Sequence, residues 1–212
     1  MFTRDALSYK TINVLCFLVT AAFFVLGALP SPAFEPEKGG KLQVGPASSY
    51  PCKQTVQEVT IAAEVYNDPD KMKAAFGKLD PRAYGVLPVL LIVANHSKQS
   101  IRLDEMKVEY IQPDRSRVEA TPASEVKYLD APRRPNLNPR LPGISRSHKN
   151  PLTAWEIEGR AFSAKMLPPG ESAHGFVYFQ TVYRPGSRLY ITGLREASGG
   201  KELFFFEIPL EQ

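Results

Sequence analysis

Gly85 to Asn95, GVLPVLLIVAN, is the most hydrophobic stretch outside the N-terminal leader, and the fold has to be built around it. Its length and its β-branched residues suit a strand. The absence of apolar–polar alternation means both faces are buried, which makes it a central strand. Pro88 cannot donate to a ladder, so a strand start or a bulge is expected there.

The flanking segments read as shorter strands and turns. Val59, Ile61, Ala63 and Val65 alternate with Glu58, Thr60, Ala62 and Glu64, a strand with one buried face. Asp68 as N-cap, Pro69 at the first helical position and Gly77 as C-cap bracket a helix over Pro69–Phe76 that packs Met72, Ala75 and Phe76. Ile101–Leu103 is a short strand. Met106, Val108 and Tyr110 alternate with Lys107 and Glu109, and Pro113-Asp114-Arg115-Ser116 turns the chain into Val118. Thr121-Pro122 is placed to cap a short helix running to Leu129. Leu152, Trp155, Gly159 and Phe162 recur at helical spacing. Leu167–Glu171 is a turn, and Phe176–Phe179, Leu189–Thr192 and Leu203–Ile208 are further strands, the last two joined through Ser198-Gly199-Gly200. About eight short strands between turn signals predict an all-β class, an antiparallel β-sandwich with one or two short helices in the connections.

The runs PVLLIVANHSKQSIRL and MLPPGESAHGFVYF resemble the immunoglobulin-like domains of exported bacterial proteins. In those domains a strand ending in Asn leads to a turn, and a Pro-Gly-Glu-Ser turn introduces an edge of the opposing sheet. The resemblance spans residues 55–208 as architecture and implies a fold, not an activity. The paired cysteines and buried tryptophan of antibody-type domains are missing from the pattern.

The N-terminus has a different character. A short leader with Arg4 and Lys10 precedes the uncharged run of residues 12–29, and Ser31-Pro32-Ala33 follows. This is an apolar export helix: either a signal peptide cleaved near Ala33, giving a periplasmic or extracellular chain, or an anchor whose residues 12–29 contact the membrane. Residues 1–33 are assigned to it, 34–54 to a linker and 55–212 to the β-sandwich. Cys16 lies inside the apolar run. Cys52 is then the lone cysteine beyond it, read as a half-buried small hydrophobe or, alternatively, a partner in a mixed disulfide.

Residues 34–212 hold 24 basic and 21 acidic side chains, a nearly even balance. Residues 130–151 carry Arg133, Arg134, Arg140, Arg146 and Lys149 against the single acid Asp130, among prolines 132, 135, 139, 142 and 151. Any electrostatic function is therefore local. These five cations are the candidate anion-binding residues, for an anionic polymer or surface, in a long irregular loop. No nucleic acid is expected as a partner.

Motifs for catalysis are not evident. His96, His148 and His174 have no metal-ligand spacing, so neither a metal nor another cofactor is expected. No G-x-S-x-G is present. Asp104-Glu105 and Glu156/Glu158 pair carboxylates without a sequence sign of an apolar pocket. Asn95-His96-Ser97 matches a glycosylation acceptor. Phe176–Phe179 could be a binding platform but more simply fills the core. Of Phe204, Phe205 and Phe206, at least one must face away from the core, because successive strand residues alternate. The reading is a non-catalytic exported envelope protein with a binding or structural role, its partner an unknown envelope protein. The alternatives are a small exported hydrolase and a binder of anionic polymers through residues 133–149.

Overall fold

The computed structural model describes residues 42–129 and 150–210. The export segment, the basic run Arg133, Arg134, Arg140, Arg146 and Lys149, and His148 lie outside them.

Eleven strands and three short helices are seen among the described residues. In chain order they are β1 (Lys53–Val56), β2 (Val59–Val65), α1 (Pro69–Phe76), β3 (Leu87–Asn95), β4 (Ile101–Arg102), β5 (Lys107–Ile111), β6 (Arg117–Glu119), α2 (Ala123–Val126), α3 (Trp155–Gly159), β7 (Met166–Leu167), β8 (Ser172–Phe179), β9 (Arg188–Thr192), β10 (Arg195–Glu196) and β11 (Phe206–Pro209). Two four-stranded sheets, β1-β2-β3-β8 and β11-β9-β5-β6, are joined at one end by a small sheet, β10-β4-β7. Every strand pairing is antiparallel.

β3 is the organising strand. All nine of its residues are buried, between β2 and β8. Pro88 sits at the strand start, opposite Tyr178, in an unbroken register without a bulge. One face of β3 (Leu87, Val89, Leu91, Val93) joins Ile61, Val108, Tyr110, Leu189, Ile191, Phe206 and Ile208 in the core shared by the two large sheets. The other face (Leu90, Ile92, Ala94) meets Phe76, Met72, Val126, Leu152 and Ile157 in a second core. Helices thus form a third layer over the outer face of the β3 sheet.

That layer changes several readings. β2 is buried on both faces, because Ala62 enters the second core beneath the helices. Three helices pack there rather than one or two. α1 is as expected: the Asp68 carboxylate accepts from the Asp70 and Lys71 amides, Gly77 ends the helix at φ 64°, and Met72, Ala75 and Phe76 are buried. The ring of Phe76 lies 4.8 Å from that of Phe176, centroid to centroid. α2 is shorter than expected, and Thr121 does not cap it. Its amide donates to the Tyr178 carbonyl at 2.7 Å instead. In α3 the helical spacing is right but the buried residue is Ile157, while Trp155 stays exposed.

Residues 42–54, read as the end of a linker, include a 3-10 turn at Ala47–Ser49 and the start of strand β1. Ala47 is buried, and Leu42, Val44 and Tyr50 pack on the second core, so the folded body includes Leu42. The Pro169-Gly170-Glu171-Ser172 turn leads into β8. That strand is an edge, as the resemblance implies, but of the β3 sheet rather than the opposing one. The chain between β9 and β11 also forms β10, which the pattern of turns did not predict. Phe206 opens β11 and is buried, while Phe204 and Phe205 precede the strand and face solvent.

Candidate functional site: a groove on the open side of the sheets

The two large sheets are closed on one side where β1 meets β11: the Glu207 amide donates to Gln54 Oε1 at 2.6 Å. On the other side β8 and β6 are edge strands. Two segments cross that gap. After β6, the Ala120 amide bonds the Val108 carbonyl (3.0 Å) and the next amide, of Thr121, bonds Tyr178 on β8. After α3, Phe162 and Phe176 are tied by the Phe162 amide to the Phe176 carbonyl (2.9 Å), and the Leu103 amide donates to the Lys165 carbonyl (2.8 Å). Gly175 permits this approach: a Cβ there would lie 2.5 Å from Phe162 Cα. A glycine inside a strand pattern marks such a close crossing. It is the one sequence signal of the groove that pattern reading passed over.

Between these crossings lies a groove of about 470 Å³. Met106, Val108, Phe162, Ala164 and Val177 line its floor and belong to the shared core or pack on it. Asp104, Lys107, Glu119 and Lys165 ring the mouth and are exposed. Arg102 pairs with Asp104 at 2.6 Å. The hydrogen bond from that guanidinium holds the Asp104 carboxyl below the usual carboxylate range. The groove can therefore hold apolar groups inside and polar groups at the rim.

Asn95 is fully buried beside the turn that opens β8. Its Nδ2 donates to the carbonyls of Gln99 (2.7 Å), Leu167 (3.0 Å) and Pro168 (3.1 Å), and its Oδ1 accepts from the Ser97 amide and hydroxyl. The two stretches that carry the immunoglobulin-like resemblance, already paired along the β3–β8 ladder, are also bonded to each other through this side chain. Its amide nitrogen has no room for a glycan, which removes the acceptor reading of Asn95-His96-Ser97 for the folded chain.

The remaining sequence candidates are dispersed. His96 lies in the turn after β3 and His174 in β8, both exposed and neither on the groove. Glu158 faces Lys127 at 3.7 Å, apart from Asp104 and Glu105, and Glu105 pairs with Arg195 at 3.0 Å. Phe176 and Tyr178 fill the second core, and the Tyr178 hydroxyl donates to the Ile157 carbonyl at 2.8 Å. Burial pushes that hydroxyl well above the ordinary tyrosine range. Cys52 is half-buried against the shared core. Among the described residues no cluster of His, Cys, Asp or Glu could hold a metal ion, and no helix is long and apolar enough to cross a membrane.

No family model matches the chain, and no curated protein matches it. Among solved structures it is similar to the YcdA protein of Bacillus subtilis, named as a candidate lipoprotein (13% identity, TM-score 0.36). That likeness covers 74% of this chain but 38% of that one. The yjhA protein of Bacillus subtilis (8% identity, TM-score 0.37) is covered over 98% of its length by 76% of this chain. The secreted protein MPT63 of Mycobacterium tuberculosis (12% identity, TM-score 0.33) is covered over 95% by 77% of this chain. Likenesses this distant leave the function to be argued from the chain's own residues.

Proposed function

We propose that the chain is an exported, non-catalytic protein of the cell envelope, an immunoglobulin-like sandwich with an added helical layer, which binds a partner through the groove beside β8. The observation that carries this reading is the distribution of polarity in the groove. Its floor is aliphatic and aromatic, and its ionisable groups stand at the exposed mouth. An acid–base centre needs a carboxyl or imidazole held away from water, whereas a binding cleft needs an apolar floor and a few polar groups at its rim. Export is supported by the basic leader and the uncharged run of residues 12–29. A second reading rests on the segregation of charge: Arg133, Arg134, Arg140, Arg146 and Lys149 would attract anionic polymers irrespective of the groove.

The test is site-specific photo-crosslinking in intact cells. A photoreactive residue in place of Lys165 or Thr121 should yield a discrete adduct, and one in place of Arg188, on the far face of the β9 sheet, should not. Adducts from Arg188 alone, or recovery of the chain in the soluble cytoplasm, would overturn the reading.

A further inference from the structure

We infer that the helical face of the domain docks on the surface of a phospholipid bilayer, with Trp155 and Tyr128 seated among the headgroups. The inference rests on reading the apolar run as membrane-held. Trp155 is 66% exposed and Tyr128 76% exposed. They belong to adjoining elements: Lys127, the residue before Tyr128, reaches Glu158 of α3 at 3.7 Å, and Asn150 Nδ2 donates to the Lys127 carbonyl at 2.5 Å. The interior does not need either ring, since Ile157 of α3 and Val126 at the end of α2 fill the second core. Each ring has an apolar body and a polar N–H or O–H, the combination favoured at membrane interfaces.

Each ring also has a cation beside it. The Arg160 guanidinium lies 5.9 Å from the Trp155 centroid, and the Lys127 ammonium 5.4 Å from that of Tyr128. Long cationic side chains at such a face can reach lipid phosphates while the rings sit deeper. The acids beside them are Glu125 on α2 and Glu156 and Glu158 on α3. Lys127 is shared with Glu158, so the rings, not net charge, carry most of the attraction and Arg160 is the main phosphate contact.

The first described residues lie on the same side of the domain as the helices. Leu42, Val44 and Tyr50 pack on the core beneath the helices, not on the core between the sheets. The apolar run ends at Leu29, and the twelve residues 30–41 reach no further than about 43 Å fully extended. A tether of that length holds the domain at high effective concentration near the bilayer, so a modest interfacial affinity is enough to dock it.

Trp155 is the single tryptophan, which makes its fluorescence a direct report. The full chain would be inserted into vesicles of mixed phosphatidylcholine and phosphatidylglycerol. Emission should shift to the blue, lose intensity when the lipids are brominated near the carbonyl, and resist quenching by aqueous iodide. In a Trp155→Phe, Tyr190→Trp variant the sole tryptophan moves to the outer face of β9, where iodide and not brominated lipid should quench it. Lys127→Glu with Arg160→Glu should restore iodide quenching of Trp155. If the chain floats with the vesicles while Trp155 ignores brominated lipid, docking is overturned and the anchor reading stands. A chain that does not float with them overturns both.

Discussion

Removing the Asn95 amide should weaken the fold substantially. Its two N–H groups serve three carbonyls, of Gln99, Leu167 and Pro168, at 2.7–3.1 Å, and the residue is fully buried. Asn95→Ala would leave those carbonyls without that donor. Each such hydrogen bond is worth on the order of 1 kcal/mol net, and a buried group left unsatisfied costs about 1–3 kcal/mol. Ser97 is only partly buried and would find water, so its two bonds add little. The sum is about 3 kcal/mol, a large share of the roughly 5–15 kcal/mol that holds a domain folded. In a body of this size that corresponds to a fall in Tm of about 6–12 °C.

Asn95→Asp sharpens the test, because it preserves shape and the Ser97 bonds while setting an acid against three carbonyl oxygens. Those oxygens favour the protonated form and raise its folded pKa above the unfolded value near 3.9. The variant should therefore come nearest to the parent below that value and lose stability as pH rises through the raised pKa. Urea melts of parent and both variants across that range measure this directly. A loss under about 1 kcal/mol for Asn95→Ala would refute the claim that this side chain clamps the β3 and β8 turns together.

Ile92→Ala removes a buried side chain between β3 and the helices and should cost about 2–5 kcal/mol in denaturant melts; a far smaller loss would mean that the helical layer is loosely packed. Arg82 hydrogen-bonds Asp80 and holds its carboxyl below the ordinary range. The resulting stability is present above the unfolded value near pH 3.9 and disappears as pH falls through the folded one. Asp80→Asn should therefore flatten that acid limb by lowering stability at neutral pH, a small loss because the pair is partly exposed, while the two proteins converge in acid. Replacing Arg133, Arg134 and Arg140 with Ser should abolish salt-sensitive retention on an anionic matrix without shifting Tm, and unchanged retention would exclude the segment as the binding element.

Elements specified by their own few residues could be read directly. α1 is one, because Asp68, Pro69 and Gly77 solve its end problems locally. The β5–β6 turn at Pro113–Ser116 is another. β1 escaped notice because its hairpin to β2 turns through Gln57 and Glu58, at φ 48° and 63°. Such two-residue turns ordinarily announce themselves with Asn-Gly or Asp-Gly.

By itself, then, the sequence determined a β-rich body built around a strand buried on both faces, and set apart from it an uncharged N-terminal run. Hydrophobic continuity and turn chemistry are local properties and need no partner to be read. Only the tertiary structure decided what covers each face of β3. Helical spacing around Trp155 is compatible with burying either that ring or Ile157, and the choice falls to the shape of the second core. The groove too depends on distant pairings, Thr121 with Tyr178 and Phe162 with Phe176, which no local pattern encodes. The same dependence turned Asn95 from a candidate sequon into a buried clamp, because its three acceptors are Leu167 at the end of β7, Pro168 just after it, and Gln99 in its own turn.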